Sequence, residues 1–289
     1  MNLEKFIEKA KPLRVLGITI TQNGETVGQW LAEEEIRRNI YSGTKSFVSL
    51  AVGCAVQEGL LSLDEKLTEV FQEELPKQVS ENLKKATVRD LLTMRLGQAT
   101  AELMASRRIT LCQDDWVRYS LSLPFPYAPG ETFVYSNVGP YLAGVLVQRR
   151  AGCNLVDYLM PRLFQPLGIR LPTWEVDPFG NSFGGSGLML TMSEYHKLGL
   201  LYLQKGVWQG KRLISKAWVE ESSKSLYADG PGYGYLFWRG EYNSYRADGM
   251  YGQLCIVFPS HNAVVTAVCE SREPQSVLQA IYDEICPQF

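Results

Sequence analysis

Residues 16–31 read LGITITQNGETVGQWL, two short apolar runs on either side of Gln22-Asn23-Gly24. Runs of this kind are typical of β-strands, and an Asn-Gly pair between two of them is a strong signal of a tight hairpin turn. The segment therefore predicts an antiparallel hairpin in the first part of the chain.

Strand signals cluster at the two ends of the chain, whereas helical periodicity fills the middle. Near the C-terminus, four short apolar runs are separated by turn residues and followed by a helical pattern; the runs are 234–238, 244–247, 255–259 and 263–269, and the helical pattern covers 275–285. This distribution predicts an α+β fold, in which an antiparallel sheet made from both ends is flanked by helices and interrupted by a mainly helical insertion. We expect residues 1–62 and 179–289 to form the sheet domain and residues 63–178 the helical domain.

Composition gives no reason to expect a charged partner. The 289 residues include 31 acidic and 29 basic side chains, so the chain lacks the positive excess expected for binding nucleic acid or an anionic membrane surface. Met1–Phe6 has the pattern of a short amphipathic helix rather than a signal peptide, and no apolar stretch is long enough to span a bilayer. We therefore expect a cytoplasmic protein that acts on a small molecule, with no nucleic acid or membrane partner; its oligomeric state stays open.

The sequence contains no motif for binding a metal or a cofactor. The six cysteines lack any Cys-x-x-Cys spacing and are expected to be buried free thiols, and the two histidines, His196 and His261, belong to no His-Glu-x-x-His motif. Neither histidine lies near a plausible nucleophile in sequence, which disfavours a Ser-His-Asp triad. No glycine-rich phosphate loop follows a strand, so we expect no metal and no cofactor.

Ser42-Gly43-Thr44-Lys45 places a serine and a lysine three residues apart, where a loop gives way to the helical run 46–59. At this spacing both side chains fall on one face of the first helical turn, so the amine can hydrogen-bond to the hydroxyl and take its proton. The alternative is a helix cap followed by a solvated lysine.

A second motif, Tyr135-Ser136-Asn137, follows Pro129–Phe133 and precedes a helix that begins near Val138. Together with the serine and lysine, it resembles the β-lactamase and penicillin-binding-protein superfamily, in particular the branch of class C enzymes, D-alanyl-D-alanine carboxypeptidases and esterases. The resemblance runs almost end to end, through segments in family order at 59–64, 90–97, 127–130, 184–188, 203–206, 232–235 and 249–253. It implies the same α+β arrangement, with the active site in the cleft between sheet and helical domains.

The resemblance also implies roles for the matching residues. Ser42 would be the nucleophile that forms an acyl-enzyme, and Lys45 the base, which needs a lowered amine pKa. Tyr135 would relay the proton to the leaving group and later activate water; alternatively, a protonated Lys45 would hold Tyr135 as a phenolate. Asn137 would orient the substrate and Lys45, or else act only as the N-cap of the following helix.

The third motif departs from the family pattern. Members carry Lys or His, then Thr or Ser, then Gly on a strand beside the cleft, whereas this chain has Ala247-Asp248-Gly249. The backbone N–H of Met250 can still pair with that of Ser42 to form an oxyanion hole, because main-chain donors do not depend on side-chain identity. Acyl transfer is therefore expected to survive the change.

A substrate carboxylate, in contrast, would be repelled by Asp248. Arg246 shares a strand face with Asp248 and either pairs with it or replaces the missing cation. Both alternatives stay open at this point.

These observations favour a cofactor-free serine hydrolase that acts on a small ester or amide through an acyl-enzyme. The first alternative is a β-lactamase or D-Ala-D-Ala carboxypeptidase, which would need Arg246 as its cation. The second is a non-catalytic penicillin-binding-like protein. Four aromatic residues are candidates either for the substrate pocket or for the core, namely Tyr251, Trp238, Phe183 and Trp174.

Overall fold

The computed structural model describes residues 1–228 and 232–289 and has the α+β architecture expected from the sequence. The described helices are α1 (Glu4–Ala10), α2 (Thr44–Gln57), α3 (Leu67–Val70), α4 (Glu81–Lys85), α5 (Val88–Leu91), α6 (Ala105–Arg108), α7 (Trp116–Ser122), α8 (Val138–Ala151), α9 (Leu155–Leu159), α10 (Met192–Leu203), α11 (Lys216–Ser223) and α12 (Pro274–Glu284). The described strands are β1 (Val15–Gln22), β2 (Glu25–Leu31), β3 (Arg38–Asn39), β4 (Met189–Leu190), β5 (Val207–Trp208), β6 (Lys211–Arg212), β7 (Trp238–Arg239), β8 (Tyr245–Gly249), β9 (Gln253–Phe258) and β10 (Ala263–Cys269).

The main sheet joins the two ends of the chain. Its six strands are antiparallel in the order β2-β1-β10-β9-β8-β7, so that β1 pairs directly with β10 along its length. The pairs β3-β4 and β5-β6 form separate two-stranded sheets. The expectation of an antiparallel sheet built from both ends is confirmed.

The predicted N-terminal hairpin is present, and its turn has the geometry that Asn-Gly favours. Asn23 and Gly24 connect β1 to β2 with φ angles of 53° and 87°. Two consecutive positive φ values are typical of the type I′ turn, whose twist matches that of the flanking strands. The turn therefore sets the register in which β2 lies on the outer edge of the sheet.

Each face of the sheet is covered by helices. On one face, Ile18 and Ile256 pack with residues of α1 and α12 in one hydrophobic core. On the other face, Ala247 and Val257 belong to a larger core that includes α2, α8 and α10. Because the sheet is apolar on both faces, α2 is held between the sheet and the helical part of the chain.

Helices α2 and α8 are buried around most of their circumference, which explains their high content of apolar and small residues. Residues 44–55 of α2 are all buried, as are residues 138–148 of α8. At Gly139 of α8, a Cβ would overlap the carbonyl oxygen of Leu91. Glycine there allows α8 to approach the preceding helical segment closely.

Replacement of Gly139 by alanine is expected to lower the free energy of unfolding by about 2–4 kcal/mol, because the methyl group meets backbone that has no room to move. Gly144 is the matched control in the same helix, since its Cβ would lie 3.2 Å from a Leu155 side-chain methyl group. Chemical denaturation should therefore show a small change, within about 1 kcal/mol, for Gly144→Ala. Equal stabilities of the two variants would contradict this account of the contact between α8 and α5.

Several predicted element bounds are wrong in detail. The segment 234–238 was expected to form a strand, but only Trp238 belongs to one, because the Gly234 N–H donates to the Phe237 carbonyl and Leu236 has a left-handed φ of 63°. The N-terminal helix begins at Glu4 rather than at Met1. All six cysteines are free as expected, but Cys112 is exposed instead of buried. Within the described ranges, no helix is both long and apolar enough to cross a membrane.

Candidate active site

Ser42 lies at the start of the most buried helix of the chain. It is the middle residue of a 3₁₀ turn, Tyr41–Gly43, that runs directly into α2 at Thr44. The following Gly43 is required by packing, since a Cβ there would overlap the hydroxyl of Tyr195. The Ser42 side chain is half-buried, so its hydroxyl is fixed at the edge of the cleft and can be reached from solvent.

The Lys45 amine contacts the Ser42 hydroxyl. Its side chain is 1% exposed, and Nζ lies 2.8 Å from Ser42 Oγ and 2.8 Å from the Gly185 carbonyl oxygen. Burial, together with the smaller effect of the positive charge of Arg108, lowers the Lys45 pKa to about 7. A substantial fraction of the amine is therefore neutral near pH 7 and able to accept a proton from Ser42.

The lowered Lys45 pKa predicts the pH dependence of any Ser42-dependent reaction. A base must be unprotonated, so kcat/KM should fall about tenfold per pH unit below pH 7 and level off above it. The measurement is kcat/KM between pH 5 and pH 9, with unfolding followed at each pH to exclude loss of protein. A profile that stays flat through pH 7 would contradict the assignment of Lys45 as base.

Tyr135 completes a three-residue cluster with Ser42 and Lys45. Its hydroxyl has a hydrogen bond with Ser42, and its ring centroid lies 5.0 Å from Lys45 Nζ. Burial raises the Tyr135 pKa well above its usual value, and the negative charge of Asp248 adds to this. Tyr135 is therefore a neutral phenol at neutral pH, and this charge state favours Lys45 over a tyrosine phenolate as the initial base.

Asn137 is close to the cluster but bonds elsewhere. Its Nδ2 donates to the Leu103 carbonyl at 2.9 Å, and within the described residues its buried Oδ1 has no hydrogen-bond partner. A Cβ on Gly185 would lie 2.7 Å from Asn137 Cγ, so the amide packs against the backbone that accepts from Lys45. Asn137 also occupies the N-cap position of α8, without a side-chain capping bond. Its amide oxygen is thus buried and unpaired within the described residues, whereas its amide nitrogen supports the 102–103 loop.

The third motif lies beside the Ser42 turn. Strand β8 ends at Gly249, where a Cβ would overlap the carbonyl oxygen of Ile40, two residues before Ser42. Met250 follows directly, and its side chain is 46% exposed. The end of β8 and the Ser42 turn are thus in backbone contact, and the arrangement requires glycine at position 249.

Arg246 pairs with Asp248, which was one of the two alternatives open from the sequence. Arg246 Nε donates to Asp248 Oδ2 at 2.8 Å, and a second guanidinium nitrogen donates to the Arg239 carbonyl at 3.0 Å. The cross-strand partners of Arg246 and Asp248 are Ile256 and Leu254, which both belong to the core on the α12 side of the sheet. The Arg246 side chain therefore starts from the face of β8 opposite to α2.

Sequence reasoning missed a partly buried ion pair whose positive charge acts on Lys45. Arg108 donates to the Glu175 carboxylate with two nitrogens, at 2.8–3.1 Å, and to the Leu103 carbonyl at 3.1 Å. Its guanidinium lies 4.3 Å from the centre of the Phe183 ring. No motif marks this pair, because Arg108 ends α6 whereas Glu175 lies in a loop far along the sequence, and the two meet only in the folded chain.

The four aromatic candidates divide into two pairs. Trp238 lies 5.2 Å from the Tyr135 ring, and Tyr251, which is 39% exposed, lies 5.2 Å from the Tyr41 ring. Phe183 and Trp174 are buried, and the Trp174 indole N–H donates to the Phe183 carbonyl. Trp238 therefore lies beside Tyr135, Tyr251 contacts the turn that carries Ser42, and the other two are core residues.

Histidine and metal chemistry find no site in the residues that the structure describes. His196 is buried between the hydroxyls of Thr21 and Thr266, each 2.8 Å from a ring nitrogen, and burial lowers its pKa to about 4. Both ring nitrogens are thus occupied by threonines rather than by a serine nucleophile. No cluster of three or more His, Cys, Asp or Glu side chains suited to a metal ion occurs in the ranges 1–228 and 232–289.

The fold and the Ser42-Lys45-Tyr135 cluster define a protein of the penicillin-binding and β-lactamase fold. The family model described as Beta-lactamase matches residues 5–285, and the chain belongs to this family. An uncharacterized protein of Alkalihalophilus pseudofirmus is 23% identical over 276 residues, which cover 83% of this chain and 75% of that protein.

Solved structures show the same fold at low sequence identity. A Bacillus anthracis protein provisionally named a 6-aminohexanoate-dimer hydrolase has a TM-score of 0.83 at 17% identity, over 98% of this chain and 81% of its own. The octameric penicillin-binding protein homologue of Pyrococcus abyssi has a TM-score of 0.74 at 20% identity, over 98% and 77%. A mutant of simvastatin synthase from Aspergillus terreus has a TM-score of 0.72 at 15% identity, over 98% and 95%. These neighbours carry different names, so the fold alone does not select a substrate.

Proposed function

We propose that this protein is a serine hydrolase that cleaves a small ester or amide through an acyl-enzyme on Ser42. The observation that carries the proposal is the 2.8 Å contact between the Ser42 hydroxyl and the buried Lys45 amine, whose pKa is lowered to about 7. A capping serine beside a solvated lysine would need neither the contact nor the burial.

In the proposed mechanism, Lys45 takes the Ser42 proton as Oγ attacks the substrate carbonyl carbon. The backbone N–H groups of Ser42 and Met250 stabilise the negative charge that develops on the carbonyl oxygen. Tyr135 donates its phenolic proton to the leaving alcohol or amine and recovers one through Lys45. In the second half of the reaction, Tyr135 and Lys45 remove a proton from water as its oxygen attacks the acyl carbon. The bond from that carbon to Ser42 Oγ then breaks, Oγ takes up the proton, and the acid is released.

The charges around the cleft support a neutral substrate. Arg246 is paired with Asp248, and Arg108 is paired with Glu175. The position that carries a cation in family members is Ala247. A substrate carboxylate would therefore have to break an existing ion pair to find a partner, at a cost in free energy.

The aromatic side chains near Ser42 support the same substrate class. Trp238 packs against Tyr135 and is joined there by Phe133 and Tyr233, with ring centroids 4.7–6.4 Å apart. A cluster of aromatic side chains favours an apolar acyl group or leaving group over a charged one.

The test compares wild-type protein with Ser42→Ala on p-nitrophenyl butyrate and on a chromogenic cephalosporin, with intact mass recorded in parallel. Ser122→Ala is the matched control, because Ser122 is exposed and bonds only to the turn of its own helix, at Tyr119. The expected result is ester turnover in wild type and Ser122→Ala that disappears in Ser42→Ala.

Other outcomes point to the alternatives. Ser42-dependent turnover of the cephalosporin alone would indicate a β-lactamase and would require the Arg246–Asp248 pair to open. A stable mass increase on Ser42 without released acid would indicate a penicillin-binding-like protein that does not turn over. Ester hydrolysis that persists in Ser42→Ala would overturn the mechanism.

A further inference from the structure

Two tyrosines with strained backbone flank the residues of the proposed oxyanion hole. Tyr41, directly before Ser42, has a φ of 47°, and Tyr251, directly after Met250, has a φ of 64°. A left-handed conformation is unfavourable for any residue with a Cβ, and such residues cluster at functional sites, where the surrounding structure holds them in place. Here the strain occurs on both sides of one site.

The rings of these two tyrosines contact each other. Their centroids lie 5.2 Å apart with an interplanar angle of 72°, which is the edge-to-face arrangement that aromatic pairs prefer. The contact joins the Ser42 turn, which precedes α2, to the turn that follows β8. Tyr251 is 39% exposed, so this ring contributes little to the hydrophobic core.

Each tyrosine backbone is anchored separately on its own side. The Tyr41 N–H donates to Asn39 Oδ1 at 2.7 Å, and the Tyr251 carbonyl accepts from the Ser271 N–H at 3.0 Å. The backbone contact at Gly249 brings the two turns together at the last residue of β8. The ring contact lies beyond it, next to Met250 itself.

We propose that the Tyr41–Tyr251 pair is a positioning device that sets the separation between the backbone N–H groups of Ser42 and Met250. The proposal rests on the proposed function, since it assigns a purpose to these groups only if an oxyanion forms. The strained conformation of each tyrosine turns its ring towards the other, and the edge-to-face contact keeps both turns from relaxing apart. Neither ring takes a proton or contacts the reacting atoms in this role.

The test is a double-mutant cycle with Tyr41→Leu, Tyr251→Leu and both together, assayed with p-nitrophenyl butyrate. Loss of an oxyanion-hole donor lowers kcat by about 10²–10³, and displacement of a donor should lower it less. We therefore expect each single variant to lose about tenfold in kcat, with KM changed less than about twofold. The double variant should lose no more than about threefold beyond either single variant, because the pair acts as a unit. Tyr41→Phe and Tyr251→Phe keep the ring contact and should retain wild-type kcat within about twofold.

Independent losses that multiply to about 100-fold in the double variant would overturn the proposal, as would an effect confined to KM. Wild-type protein without Ser42-dependent turnover would instead refute the proposed function. In that case crystal structures of wild type and Tyr251→Leu decide the geometric claim alone. A Ser42 N to Met250 N separation that increases in the variant supports the positioning role, and an unchanged separation overturns it.

Discussion

Replacement of Lys45 by methionine is expected to lower kcat/KM for a p-nitrophenyl ester by about 10⁴, because Ser42 loses the base that takes its proton. Methionine has nearly the same shape and fills the buried site, so the loss should come from chemistry rather than from unfolding. The measurement is Ser42-dependent turnover, with Lys5→Met as control, since Lys5 is an exposed lysine on α1. Loss of less than about tenfold would exclude Lys45 as the principal base.

The same variant should be more stable than wild type at low pH. The ordinary lysine pKa of 10.5 falls to about 7 in the folded protein, so the folded state binds fewer protons than the unfolded state between these values. Stability from this group therefore rises with pH from about 7 to about 10.5, and below pH 7 wild type bears the full cost of a buried charge. Urea unfolding at pH 6 should show Lys45→Met more stable by about 2 kcal/mol, with the difference shrinking towards pH 9. A pH-independent difference would show that packing, not charge, is responsible.

Replacement of Gly249 by alanine is expected to have the second largest effect, a fall in kcat of about 10²–10³ together with a loss of stability of about 2–3 kcal/mol. The added methyl group would overlap the Ile40 carbonyl, so either β8 or the Ser42 turn must shift. Either movement displaces the Met250 N–H from the Ser42 N–H. The backbone φ at Gly249 is −120°, which alanine also adopts, so the effect is steric rather than conformational.

Gly28→Ala is the matched control for this substitution. Gly28 lies in β2, an edge strand of the same sheet, and its Cβ would meet only side-chain methyl groups of Ile20 and Leu3, at 3.2–3.5 Å. We expect wild-type kcat and nearly unchanged stability for Gly28→Ala.

The outcome that contradicts the Gly249 prediction is a loss of stability with full kcat in Gly249→Ala. In that case the placement of Met250 as an oxyanion donor would be wrong.

Much of the fold could be predicted because it is encoded locally. The run 263–269 is apolar except at Thr266, and it forms β10 over those same residues. The run 234–238 is equally apolar, but the Tyr235 N–H donates to the Ser222 carbonyl and the chain turns instead of extending. That bond joins residues far apart in sequence, so hydrophobic periodicity does not reveal it.

The candidate site likewise combines features encoded locally in the sequence with features that depend on long-range contacts. Ser42 and Lys45 are three residues apart on a helical turn, and their contact follows from helix geometry alone. Arg108, at the end of α6, meets Glu175 from a loop far along the chain, and Arg246 is directed by the register of β8 on β9. Sequence patterns identify groups whose partners are close along the chain, whereas the charges that modulate them depend on tertiary structure.

The pairing of β1 with β10 has a consequence for how the chain is made. Strand β1 leaves the ribosome well before β10, so the edge of β1 that pairs with β10 stays open until β10 has been made. Contacts between such distant segments give a high contact order and slow folding. An unpaired apolar strand edge also invites association with other chains during that interval. Expression yield should therefore depend on chaperones and on growth temperature more strongly than the stability of the finished protein would suggest.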